Sequence, residues 1–102
     1  MDLPQLDALE LNRAALLLVR HSGEAIPTPS GKAFAWHDEP LRLAVTFWFD
    51  DKRSNVRIFR DALRVFSCFW TADADDVDLE FYAAGSWRDE FLERALVPRR
   101  VQ

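Results

Sequence analysis

Between residues 41 and 50 an apolar side chain recurs at every second position. Leu41, Leu43, Val45, Phe47 and Phe49 alternate with Arg42, Ala44, Thr46 and Trp48. Successive side chains of an extended chain point to opposite faces, so the pattern predicts a strand with one face to be covered. A lone strand cannot hide that face; it needs neighbours along its edges and a second layer against its apolar side. Residues 77–83 repeat the pattern, with Val77, Leu79 and Phe81 predicted inward and Asp78, Glu80 and Tyr82 outward.

Both ends of the chain supply helices for the second layer. In residues 4–20, Pro4 suits a first turn, and Ala8, Leu11, Ala15 and Leu18 form one stripe at helical spacing. Leu6, Leu9, Leu16 and Leu17 lie off that stripe. Residues 14–19 are apolar almost all round, so this helix needs cover on more than one side, which a second subunit would provide. Ser86 opens a C-terminal helix with Asp89 three residues on, a capping-box arrangement. Trp87, Phe91, Leu92, Ala95 and Leu96 give it a stripe, and Pro98 predicts its end.

Two periods compete over residues 56–70. At 3.6 residues per turn, Arg57, Arg60, Asp61 and Arg64 share one side. Val56, Phe59, Ala62, Leu63 and Phe66 share the other, which predicts a third helix over 55–67 with Ser54 as its N-cap. At period two the same residues become two strands around Arg60-Asp61-Ala62, as the β-branched and aromatic content would favour. The helix is the preferred reading. Residues 21–32 read as a loop punctuated by Gly23, Pro27, Pro29 and Gly31, residues 33–37 as a short strand, and 51–55 and 73–76 as polar turns. No linker or repeat divides the chain. The expected fold is a single α+β domain over 1–102: a small, mainly antiparallel sheet packed on one face by the N-terminal and C-terminal helices.

The chain is 102 residues long with four Trp, eight Phe and one Tyr. A domain of that size buries only roughly 60–65% of the surface its unfolded chain exposes. Some large apolar side chains must then reach the surface, where a contiguous patch usually marks a partner or ligand site. The net charge of −4 argues against general attraction to nucleic acid or to an anionic membrane. No apolar run is long enough to span a bilayer, and the Met1-Asp2-Leu3-Pro4 start lacks the basic region of a signal peptide. A cytoplasmic protein is expected. Cys68, the single cysteine, has no partner for an internal disulfide.

No motif carries a recognisable chemistry. Gly23, Gly31 and Gly85 are isolated, whereas phosphate loops need clustered glycines. His21, His37 and Cys68 do not have the spacing of a zinc site. His37-Asp38-Glu39 would not converge on a metal in extended chain. The acidic run 73–80 lacks the central glycine and closing glutamate of a calcium loop. There is no Gly-x-Ser-x-Gly elbow, and Cys68 lies in apolar surroundings that favour an inert thiol. No cofactor or metal is expected. Arg57, Arg60 and Arg64, with Arg53 before them, would line one face of the third helix as a solvated or partner-binding stripe.

One constellation stands out. Asp78, Glu80 and Tyr82 share a predicted strand face at spacings of about 6–7 Å. If residues 41–50 lie beside that strand, Arg42, Thr46 and Trp48 join them. These six form the candidate binding site, against the plainer reading of an ordinary outer face with cross-strand ion pairs. Paired carboxylates could also act as general acid and base if the site were concave and dry. Three functions compete. The first is a non-enzymatic interaction protein, expected to be a homodimer. The second is a small-molecule domain binding an apolar ligand in an aromatic pocket lined by Trp36, Trp48, Trp70 or Tyr82. The third is a small hydrolase or isomerase using Asp78 or Glu80. The first is preferred.

Overall fold

The computed structural model describes residues 3–72 and 76–100, with side chains at 4–72 and 77–95. The elements run α1 (Leu3–Ser22), β1 (Glu24–Ile26), β2 (Lys32–Asp38), β3 (Leu43–Phe49), β4 (Arg53–Arg60), β5 (Leu63–Thr71), β6 (Asp76–Tyr82) and α2 (Trp87–Arg100). The six strands pair in chain order, every neighbour antiparallel. Both helices pack against one face of this meander, as the α+β pattern predicts.

Cross-strand register explains the core. One row across the sheet is Phe34, Phe47, Val56, Cys68 and Leu79; the next is Trp36, Val45, Ile58, Phe66 and Tyr82. Against these rows α1 lays Ala8, Leu11, Ala15 and Leu18, the predicted stripe, and adds Val19. From α2, Phe91 meets Trp36 edge-on and Trp87 meets Phe66. Phe66 is fully buried, and hiding a side chain of that size contributes about 2–3 kcal/mol. α1 leaves Leu6 and Leu17 exposed. Its apolar half is otherwise taken up largely by the sheet and α2, without a second subunit.

The third helix over 55–67 does not form. Residues 53–60 and 63–71 are instead β4 and β5, joined through Asp61 and Ala62, both with positive φ (55° and 65°). That is the geometry of a tight two-residue hairpin turn, which suits the twist of the flanking strands. The helical spacing of the arginines is incidental. Val56, Ile58, Phe66 and Cys68 all reach the buried face only when the backbone alternates. The hairpin also divides the predicted stripe: Arg53, Arg57 and Arg64 go to the outer face, while Arg60 turns inward and pairs with Glu90 of α2.

Other departures are smaller. The expected loop 21–32 contains β1, three residues that extend the sheet beyond β2. The Ser86 hydroxyl donates to Glu90 at 2.8 Å, one residue beyond the predicted Asp89. The α2 backbone continues past Pro98 to Arg100. The φ of a proline is itself helical; the lost hydrogen bond and the crowding of the carbonyl four residues back disfavour a helix at that point but need not end it. The predicted acidic turn at 73–76 and the calcium comparison made there fall largely outside the described residues.

Candidate functional site

With both helices on one side, the other face of the sheet has no cover among the described residues. Two of its rows are Ala33, Trp48, Asn55, Phe69 and Asp78, and Ala35, Thr46, Arg57, Ser67 and Phe81. Ile26 joins from β1, opposite Ala33, and Phe59 from β4, opposite Ala44 and Arg64. Phe81 is 41% exposed and Ile26 39%; Trp48, Phe59 and Phe69 are half-buried by their neighbours alone. A one-sided antiparallel sheet ordinarily shows polar residues to solvent. This one shows aromatic rings bordered by arginines.

Trp48 is the most firmly held of these rings. Its indole N–H donates to the Ser30 carbonyl at 2.8 Å, and the Arg53 guanidinium lies over the ring, 5.4 Å from its centroid. The loop can approach this closely because residue 31 is glycine. Its φ is +69°, and a Cβ there would meet the Trp48 ring at 2.9 Å. On the other flank Arg64 lies over Phe81 at 5.3 Å. Arg64 makes no ion pair among the described residues, whereas Arg53 also pairs with Asp50 at 3.3 Å. Such cation–ring contacts contribute about 0.5–1 kcal/mol when exposed and more when desolvated.

The six residues singled out from the sequence are not gathered into one site. Strands β3 and β6 are separated by β4 and β5, so the condition that would bring the two sets together is not met. Thr46 and Trp48 do lie on the open face, and Asp78 lies on the same face across the sheet. Arg42 is in the turn before β3, with φ 55°, and pairs at 2.8 Å with Asp61 of the neighbouring turn. A register shift opposite Ser67 and Cys68 leaves Glu80 as the extra residue on β6, where its carboxylate accepts from the buried Ser67 hydroxyl. Past this bulge the alternation inverts. Phe81 turns outward and Tyr82 inward, the reverse of the sequence expectation. Asp78 and Glu80 are both exposed, which leaves their carboxylates in contact with water.

Tyr82 enters a different cluster. Its hydroxyl donates to Asp7 of α1, whose carboxylate also accepts from Arg88 of α2, with N–O distances of 2.6 to 3.0 Å. The Arg88 guanidinium and then the Tyr82 hydroxyl hold Asp7 below the usual carboxylate range, against an opposing effect of burial. Burial, with Asp7 beside it, pushes the Tyr82 phenol up to about 12. The groups satisfy one another and tie α1, β6 and α2 together, a structural role. Cys68 is fully buried beside Asn12, and burial pushes its thiol up to about 11, away from the reactive thiolate.

Phe59, Phe69 and Phe81 are not among the residues that the sequence singles out. The first two are legible in the period-two reading of 56–70, where they alternate with buried neighbours. Phe81 is hidden by the bulge. Among the described residues no three His, Cys, Asp or Glu side chains cluster as a metal site would need, and no helix is long and apolar enough to cross a membrane. Comparison with protein-family models, with curated proteins and with solved structures finds no match to this chain.

Proposed function

We propose that this chain is a non-enzymatic interaction module that self-associates through the open face of its sheet. The observation that carries the reading is Trp48, immobilised by Ser30, Gly31 and Arg53 on a face where Phe69, Phe59 and Phe81 also stand unburied. Interface energy concentrates in aromatic and arginine side chains that are ordered before binding, because little rotamer entropy is then lost. Strands about 4.8 Å apart with a rise of about 3.3 Å per residue give a face of roughly 600 Å². Two copies face to face would cover about 1,200 Å², the lower end of the range for specific interfaces. A second copy presents the same apolar patch, and a two-fold pairing of like faces is the commonest closed arrangement.

Sedimentation velocity tests this directly. Wild-type protein forms a dimer with a dissociation constant on the order of micromolar. Phe69→Glu, which places a charge in the middle of the face and outside the core, sediments as a folded monomer. A strictly monomeric wild type at high micromolar concentration would remove the reading.

A further inference from the structure

The geometry points to a second, separate site: the cleft between the C-terminal half of α1 and the near end of the sheet binds a small amphipathic carboxylate. The cleft has a volume of about 450 Å³ and lies on the helix-covered side, so it does not depend on the association proposed above. That volume is within the roughly 300–1,000 Å³ usual for small-molecule sites.

Its walls are apolar rings. Phe34 stacks on Phe49 with centroids 6.1 Å apart, Phe47 meets Phe49 edge-on at 5.9 Å, and Trp70 lines the cleft with them. Its polar floor is built, not incidental. Asn12 and Ser54 are 7% and 4% exposed, and the Asn12 amide donates to the Ser54 hydroxyl at 3.3 Å. Among the described residues the Asn12 amide oxygen accepts no hydrogen bond and the Ser54 hydroxyl donates none. Two polar side chains so deeply buried ordinarily use that capacity, and a ligand or a water it carries would do so.

The mouth selects charge. Arg20 and Lys32 line it, and neither makes an ion pair among the described residues. Among the described residues the only carboxylate there, Asp50, is already committed: it accepts from the backbone amides of Lys52 and Arg53 at 2.8 Å and pairs with the Arg53 side chain at 3.3 Å. Two uncommitted cations therefore stand at the entrance of an aromatic cleft in a chain whose net charge is −4. An apolar body fits the walls, and a single carboxylate fits Arg20 and Lys32 through charge-assisted hydrogen bonds.

Titration calorimetry of the full chain with decanoate, decanol and decyltrimethylammonium, each below its micelle range, decides the matter. Decanoate binds one per chain, decanol binds roughly tenfold more weakly, and decyltrimethylammonium binds least. The exposed double substitution Arg20→Gln, Lys32→Gln brings decanoate down to the level of decanol. Phe69→Glu, on the opposite face, leaves decanoate binding unchanged. The proposal is overturned if decanoate fails to bind at millimolar concentration or is not preferred to decanol. It is equally overturned if the preference survives the double substitution or is lost with Phe69→Glu. The wild-type comparison of the three ligands is decisive even without the variants.

Discussion

Asp7 shows how much one side chain can connect. It is on the second turn of α1, yet its partners are the last residue of β6 and the second residue of α2. A carboxylate held below its usual range in the folded state stabilises the fold above the unfolded value, and that stability is lost as the pH falls through the folded value. For Asp7 the loss begins below about pH 4. Asp7→Asn is expected to destabilise the protein by about 1 kcal/mol at pH 7, discounted for partial exposure, and to flatten the acid side of its stability profile. Urea unfolding between pH 2 and 7 checks both. Tyr82 offers an independent reading of the same cluster, because it is the only tyrosine. A raised phenol stabilises the fold below its unfolded value and ceases to do so as the pH rises toward about 12. The phenolate absorbance should therefore appear at higher pH in the folded protein than in urea, and Asp7→Asn should move it back toward the unfolded titration.

The β4–β5 hairpin is the element whose local signal misleads. Arginines at 57, 60 and 64 suggest a helical face, yet the two strands bury Val56, Ile58, Phe66 and Cys68 completely. Burial across a sheet outweighs helix propensity, which differs by only tenths of a kcal/mol between these residue types. The turn carries a cost: Ala62 sits at φ 65°, a region that penalises a Cβ by roughly 1–2 kcal/mol. Ala62→Gly is expected to stabilise the protein by about 0.5–1 kcal/mol, part of the relief being offset by the greater entropy of an unfolded glycine. A higher urea midpoint with an unchanged slope would bear this out; an unchanged midpoint would contradict it. β6 is legible in its first half only. Val77 and Leu79 point inward as their spacing predicts, whereas Glu80 is bulged and everything after it changes face.

At the scale of the molecule, two helices and six strands produce one well-covered face and one open one. A single layer of helices can serve only one side of a sheet. The open side keeps Trp48, Phe59, Phe69, Phe81 and Ile26 in partial contact with water. Association that hides them adds stability by mass action, so the thermal midpoint of the wild type should rise with protein concentration. That of Phe69→Glu should not. Calorimetric scans over a hundredfold range of concentration distinguish the two, and a flat wild-type profile would contradict self-association.

The terminal helices, a strand within 41–50 with its apolar face and the inward set of the first half of β6 were determined by the sequence itself, because periodicity is a property of neighbouring residues. So was the surplus of aromatic side chains. Tertiary structure alone decided that residues 53–71 form a hairpin, that two strands lie between β3 and β6, and that Glu80 is bulged. Each of these depends on pairing between distant segments, whose register is selected by what the whole sheet buries. For that reason the residues that share a face, and the cleft under α1, emerged only when the chain was folded.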